Sequence, residues 1–164
     1  LQTLCEALGT SYDPSEDEAR AEAALLHAKK LLGETEIAID YTATPAPMSL
    51  ARCLLEHGFR VTRIYADSIA ADDQEHAPDI ALYATVQVKL RVLARETQTP
   101  TLAIGLKAAY FTGTRHFVNI VEGGGMYGFD GLCRLAELME EAYRTERDAR
   151  DFIQQKGLGC DSCL

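Results

Sequence analysis

Residues Thr101–Glu141, TLAIGLKAAYFTGTRHFVNIVEGGGMYGFDGLCRLAELMEE, decide how the chain is read. An apolar strand opens the stretch, a loop dense in glycine and aromatics follows, and a long helix closes it. Gly105, Gly113, Gly123, Gly124, Gly125, Gly128 and Gly131 all fall inside it. Glycine tolerates positive φ and lets a backbone come close to another backbone or to a ligand. Ligands of open α/β sheets gather outside the carboxyl ends of the strands, and this loop is expected at that rim. A tight strand-to-helix turn that holds nothing explains the same composition, so the residues alone leave both readings open.

Upstream, strand and helix alternate. Asp13-Pro14 opens a helix whose first turn is acidic (Glu16, Asp17, Glu18), as the positive end of a helix dipole favours. It runs to about Leu32, with Ala24, Leu25, Ala28, Leu31 and Leu32 as its apolar stripe and Gly33 as its stop. Glu36–Tyr41 reads as a strand, Met48–Gly58 as a helix entered through Pro45 and Pro47, and Phe59–Asp67 as a second strand. Asp79–Thr85 reads as a third strand, Val86–Glu96 as a helix, and Thr101–Gly105 as a fourth strand. Apolar strands separated by helices predict a parallel sheet with helices on both faces. The chain divides into a helical segment at 1–33, a Rossmann-like α/β domain at 34–147 and a tail at 148–164.

The 164 residues suffice for one domain with its own core. A net charge of −9 argues against nucleic acid or an anionic membrane, since either needs a basic surface. No apolar run nears the roughly 20 residues of a membrane span. The chain starts at Leu1 without methionine, and the expectation is a domain of a longer polypeptide.

Five cysteines, scattered and odd in number, point to a reduced cytoplasmic protein rather than a disulfide framework. Cys53 and Cys133 sit among apolar neighbours as small core residues. Cys160 and Cys163 form a C-x-x-C at the extreme end, either plain tail or a metal contact to a partner. His27 and His57 are expected at the surface, and His76 lies in an acidic loop. His116 enters the glycine-rich stretch directly, either as a metal ligand or as a hydrogen-bonded loop residue. Glu122, Tyr110, Tyr127 and Asp130 could line the same crevice, although Asp130 is better placed to cap the final helix. The loop after the first strand, Tyr41–Pro47, has no glycine pattern for a dinucleotide or a P-loop. Thr42 and Thr44 in that loop read as ligand contacts or helix caps. A receiver domain needs an acidic pair after the first strand, and Asp40 stands alone.

The run HFVNIVEGGGMYGFDGLCRLAELMEEAY, with Gly128, Phe129, Asp130 and Gly131 as a G-F-D-G motif before a long helix, resembles the C-terminal part of nitrogenase component 1-type oxidoreductases. The similarity extends from about Glu16 to Arg144. It implies a three-layer α/β/α unit, related to chelatase-like metal-receptor domains, with four or five parallel strands in the order 2-1-3-4. It further implies an iron–sulfur or related metal cluster, or a tetrapyrrole substrate, held between domains and subunits, with none in the isolated domain. The implied partners are the remaining domains of the same chain, a homologous subunit and an ATP-dependent iron–sulfur reductase. Carried onto this chain, the resemblance makes His116, Gly123, Gly124, Gly125 and Tyr127 the cofactor-lining residues, with His116, Cys160 and Cys163 as candidate metal ligands. Counting back from Gly131 places Val118 at the family's histidine position. A two-residue insertion in the Gly123–Gly125 run brings His116 into register, and without it a function other than dinitrogen reduction is favoured. A non-redox small-molecule-binding or regulatory domain, or a structural docking domain, is the alternative.

Overall fold

The computed structural model describes residues 2–66, 69–71, 73–74, 85–88, 101–120 and 126–148. The helices are α1 (Gln2–Leu8), α2 (Ser15–Leu32), α3 (Pro47–Glu56), α4 (Leu106–Thr112) and α5 (Gly128–Arg144). The strands are β1 (Glu36–Asp40), β2 (Arg60–Ala66), β3 (Thr85–Val88), β4 (Thr101–Ile104) and β5 (His116–Val118). All pair in parallel, in the order β3-β2-β1-β4-β5. Without the edge strand β3, the other four run in the expected order 2-1-3-4.

Right-handed crossovers fix the layers. The step from β1 to β2 moves one way across the sheet, and the step from β4 to β5 moves the other way. The connecting helices α3 and α4 must therefore cover opposite faces. Side-chain alternation agrees. Ile37, Ile39, Leu102, Ile104 and Val118 face one core, shared with α3, α5 and α2. Ala38, Ala103, Tyr65 and Phe117 face the other, against Ala108 and Ala109 of α4. Small residues on both sides of that second interface let α4 sit close to the sheet.

One irregularity interrupts the alternation. Ile37 pairs with Val61 but Ala38 pairs with Arg63, so Thr62 is an extra residue in β2. The bulge turns both Val61 and Ile64 into the same core. It also buries the Thr62 Oγ1 without a hydrogen-bond partner among the described residues.

The α2 helix buries Ala21, Leu25, Ala28 and Leu32 along α5, so residues before 33 contribute to the main core. Gly33 ends it at φ +56°, its N–H donating to the Lys29 carbonyl. Two expectations need correction. Thr85–Val88 is a strand, where a helix was expected from Val86. Its T-V-Q-V alternation with β-branched residues suits an edge strand next to β2. The rest of the expected Val86–Glu96 helix and of the Asp79–Thr85 strand lies outside the described residues. The second correction concerns the connection after β4. It holds a further helix and strand, α4 and β5, before the loop begins.

Candidate functional site

In the order β3-β2-β1-β4-β5, the chain reverses its direction of travel between β1 and β4. The crevice of an open α/β sheet opens at such a switch point, beyond the carboxyl ends. Asp40, the last residue of β1, stands there and is fully buried. Its Oδ1 accepts from the Thr42 N–H at 2.7 Å and the Thr42 hydroxyl at 2.5 Å. Its Oδ2 accepts from the Ala108 N–H at 2.6 Å, across 68 residues of sequence. The carboxylate thus serves the first turn of α4, where unpaired amides and the helix dipole favour negative charge. Burial pushes the Asp40 carboxyl above the usual carboxylate range; the Thr42 and Ala108 hydrogen bonds and the nearby Lys107 charge pull the other way.

Gly105 makes this contact feasible. It precedes α4 at φ +111°, and a Cβ there would lie 2.2 Å from the Asp40 Oδ2. Lys107 completes the group. Its ammonium donates to the Tyr41 hydroxyl and lies 4.4 Å from the Tyr41 ring centroid.

A second acid repeats the arrangement at α3. Asp73 is buried, and its carboxylate accepts from the Met48 N–H and Ser49 N–H, both at 2.8 Å, and from the Ser49 hydroxyl at 2.5 Å. The heads of α3 and α4 are therefore both occupied by the protein's own carboxylates. Replacing Asp73 with alanine leaves two amides at the head of α3 without their acceptor. A loss of about 2 kcal/mol is expected in urea unfolding, with the slope of the transition unchanged. Thr44 accepts from the Ala46 N–H, a local turn contact.

His116 and Tyr127 are not brought together as the sequence implied. His116 begins β5, at the amino end of the strands, with its Nδ1 2.9 Å from the Ala142 carbonyl near the end of α5. Tyr127 precedes α5, 75% exposed, on the carboxyl rim. About 20 Å of helix separates them. Gly123, Gly124, Gly125, Cys160 and Cys163 lie outside the described residues, as do Glu122 and His76.

Asp130 is not the cap of α5. The helix starts at Gly128, ahead of the expected position, and Tyr127 takes the N-cap without a side-chain bond. Asp130, in the first turn, instead binds Arg20 of α2 at 2.6 Å, and Arg20 also binds Asp17 at 2.7 Å. Gly131 is needed for the same corner: a Cβ there would lie 2.3 Å from the Met126 carbonyl carbon. Tyr110 stacks edge-on against Phe111 on α4, the helix that covers the opposite face of the sheet from α5. His27 is exposed and meets Glu140 at 2.6 Å. His57 is half-buried against the Cys53 carbonyl.

The described residues do not assemble a metal site. No three histidine, cysteine, aspartate or glutamate side chains among them converge on one point. Cys5, Cys53 and Cys133 are half-buried and free, and burial pushes the Cys53 thiol up, away from the thiolate a metal needs. The Asn119 Oδ1, just past β5 at the carboxyl rim, is buried without a partner among the described residues.

Compared with known proteins, the chain matches no family model and no curated protein. Among solved structures it is similar to "Nitrogenase Cp1 at pH 6.5", with a TM-score of 0.57 at 16% identity over 98% of this chain. The match defines an α/β fold of the nitrogenase kind. This chain spans 38% of that neighbour's length. No helix among the described residues is long and apolar enough to cross a membrane.

Proposed function

We propose that this chain is an α/β domain of a nitrogenase-like oxidoreductase subunit, and that its carboxyl rim forms one wall of a crevice completed by other domains. The observation that carries this reading is the backbone likeness to nitrogenase Cp1 along nearly the whole of this chain and little over a third of that one. The rim supports it: Asn119 and Ile120 leave β5 there, and Met126 and Tyr127 lead into α5.

The described residues do not fit a resident cluster. His116 is engaged at the opposite rim, and no ligand set converges. In this proposal the domain shapes and closes the crevice. The ligands to an iron–sulfur or related cluster come from other domains or from residues outside the described set. Residues 34–147 are the crevice-forming unit, residues 1–33 brace it through α2, and 148–164 are a tail. A homologous subunit and an ATP-dependent iron–sulfur reductase are the partners this role calls for.

The test is anaerobic purification of the tagged protein from cells that make it naturally, followed by iron and acid-labile sulfide analysis. Iron and sulfide recovered with the protein and its partner subunits are expected. A colourless, metal-free assembly would overturn the proposal.

A further inference from the structure

We infer that the groove between the Thr10–Pro14 segment and the head of α5 docks a basic amphipathic peptide segment of a partner protein. This reading does not rest on the likeness to nitrogenase. Two clefts meet there. One, of about 560 Å³, runs along Cys5, Thr10, Tyr12, Pro14 and Phe129. The other, of about 210 Å³, is lined by Tyr12, Asp17, Tyr127, Phe129 and Asp130. Tyr12 and Phe129 line both, so the two clefts adjoin along this aromatic pair and together make a groove. Of the five large apolar side chains exposed among the described residues, Tyr12 and Tyr127 line this groove.

The charge around the groove selects the occupant. Glu6, Asp17 and Asp130 line it, with Asp13 between Tyr12 and Pro14. Arg20 is already engaged by two of these carboxylates, Asp17 and Asp130. The rim therefore stays net negative, which repels acidic segments and nucleic acid and attracts lysine or arginine. The floor is set in advance, since the Tyr12 hydroxyl donates to Asp17 at 2.5 Å and holds its ring in place. Exposed tyrosines with few rotatable bonds are the residue type that anchors bound peptides. An apolar stripe flanked by cations, laid into a groove, matches floor and rim together.

The test uses the whole chain and a fluorescein-labelled helical peptide of leucine and lysine, read by anisotropy, with a leucine–glutamate peptide for comparison. The lysine peptide is expected to bind and the glutamate peptide to fail. Tyr127→Ala, at an exposed position, and Asp130→Lys, which reverses rim charge, should each weaken binding roughly fivefold or more. Leu26→Ala and Glu137→Gln, exposed away from the groove, should stay within about twofold of the parent. Absent binding, equal binding of both peptides, or equal losses in Leu26→Ala and Tyr127→Ala would overturn the inference. So would a concentration-dependent dimer abolished by Tyr127→Ala, because a second copy would then be the occupant.

Discussion

Gly105→Ala is expected to cost about 3 kcal/mol or more, from backbone strain and overpacking together. Two independent causes converge. The residue sits at φ +111°, where an L side chain is strained, and the new methyl would overlap the Asp40 carboxylate at 2.2 Å from Oδ2. That carboxylate cannot swing aside freely, because Thr42 and the Ala108 N–H hold both its oxygens. A small domain has only about 5–15 kcal/mol in reserve, so the variant should lose a large share of its stability. Urea unfolding of Gly105→Ala, Asp40→Ala and the double variant separates the causes. The overlap should appear as coupling, with the double variant less destabilised than the sum. The strain from φ should persist in it. Strict additivity would show that the carboxylate is not the obstacle.

Asp40→Ala itself should cost about 3 kcal/mol, because it strips acceptors from two backbone amides and a hydroxyl and leaves a void at the end of β1. Asp40→Asn is the more telling change, since it keeps the shape and removes the titration. The folded-state pKa of Asp40 is raised, chiefly by burial. As pH rises from the ordinary carboxylate value, the unfolded chain releases this proton first. The contribution of Asp40 to stability therefore falls as pH rises, and is largest in acid. The amide of the Asp40→Asn variant has no such dependence, so the variant's deficit against the parent protein should be greatest in mild acid and should narrow towards neutral pH. Denaturant titrations across that range check the sign; a deficit that widens with pH would mean that the hydrogen bonds outweigh burial.

Much of this architecture was legible in the sequence, for reasons visible in particular segments. Met48–Gly58 has apolar spacing, prolines at its start and glycine at its end, and the structure places α3 at Pro47–Glu56. Glu36–Tyr41 and Phe59–Asp67 are apolar runs bounded by turns, and β1 and β2 lie within them. The pieces that escaped are short. The seven-residue α4 and three-residue β5 span too few periods to declare themselves, and surrounding glycines made them read as loop. The site escaped for another reason. Asp40 stood alone in sequence because one partner is a backbone amide 68 residues away and its close neighbour is a glycine with no side chain to notice. Composition carries no trace of such a pairing. His116 shows the converse: nearness in sequence suggested a crevice shared with Tyr127, yet His116 opens β5 at the amino end of the strands and Tyr127 heads α5 at the carboxyl rim.

The filled helix heads carry a further consequence for Asp73. Where a side chain plugs a cradle of amides, cutting it back to alanine leaves a vacancy the size of a carboxylate. Formate, added from solution, matches what was removed. It should restore part of the stability that Asp73→Ala loses, while chloride at equal ionic strength does little. Chemical rescue would then expose an anion receptor that the intact chain keeps stoppered with its own acid.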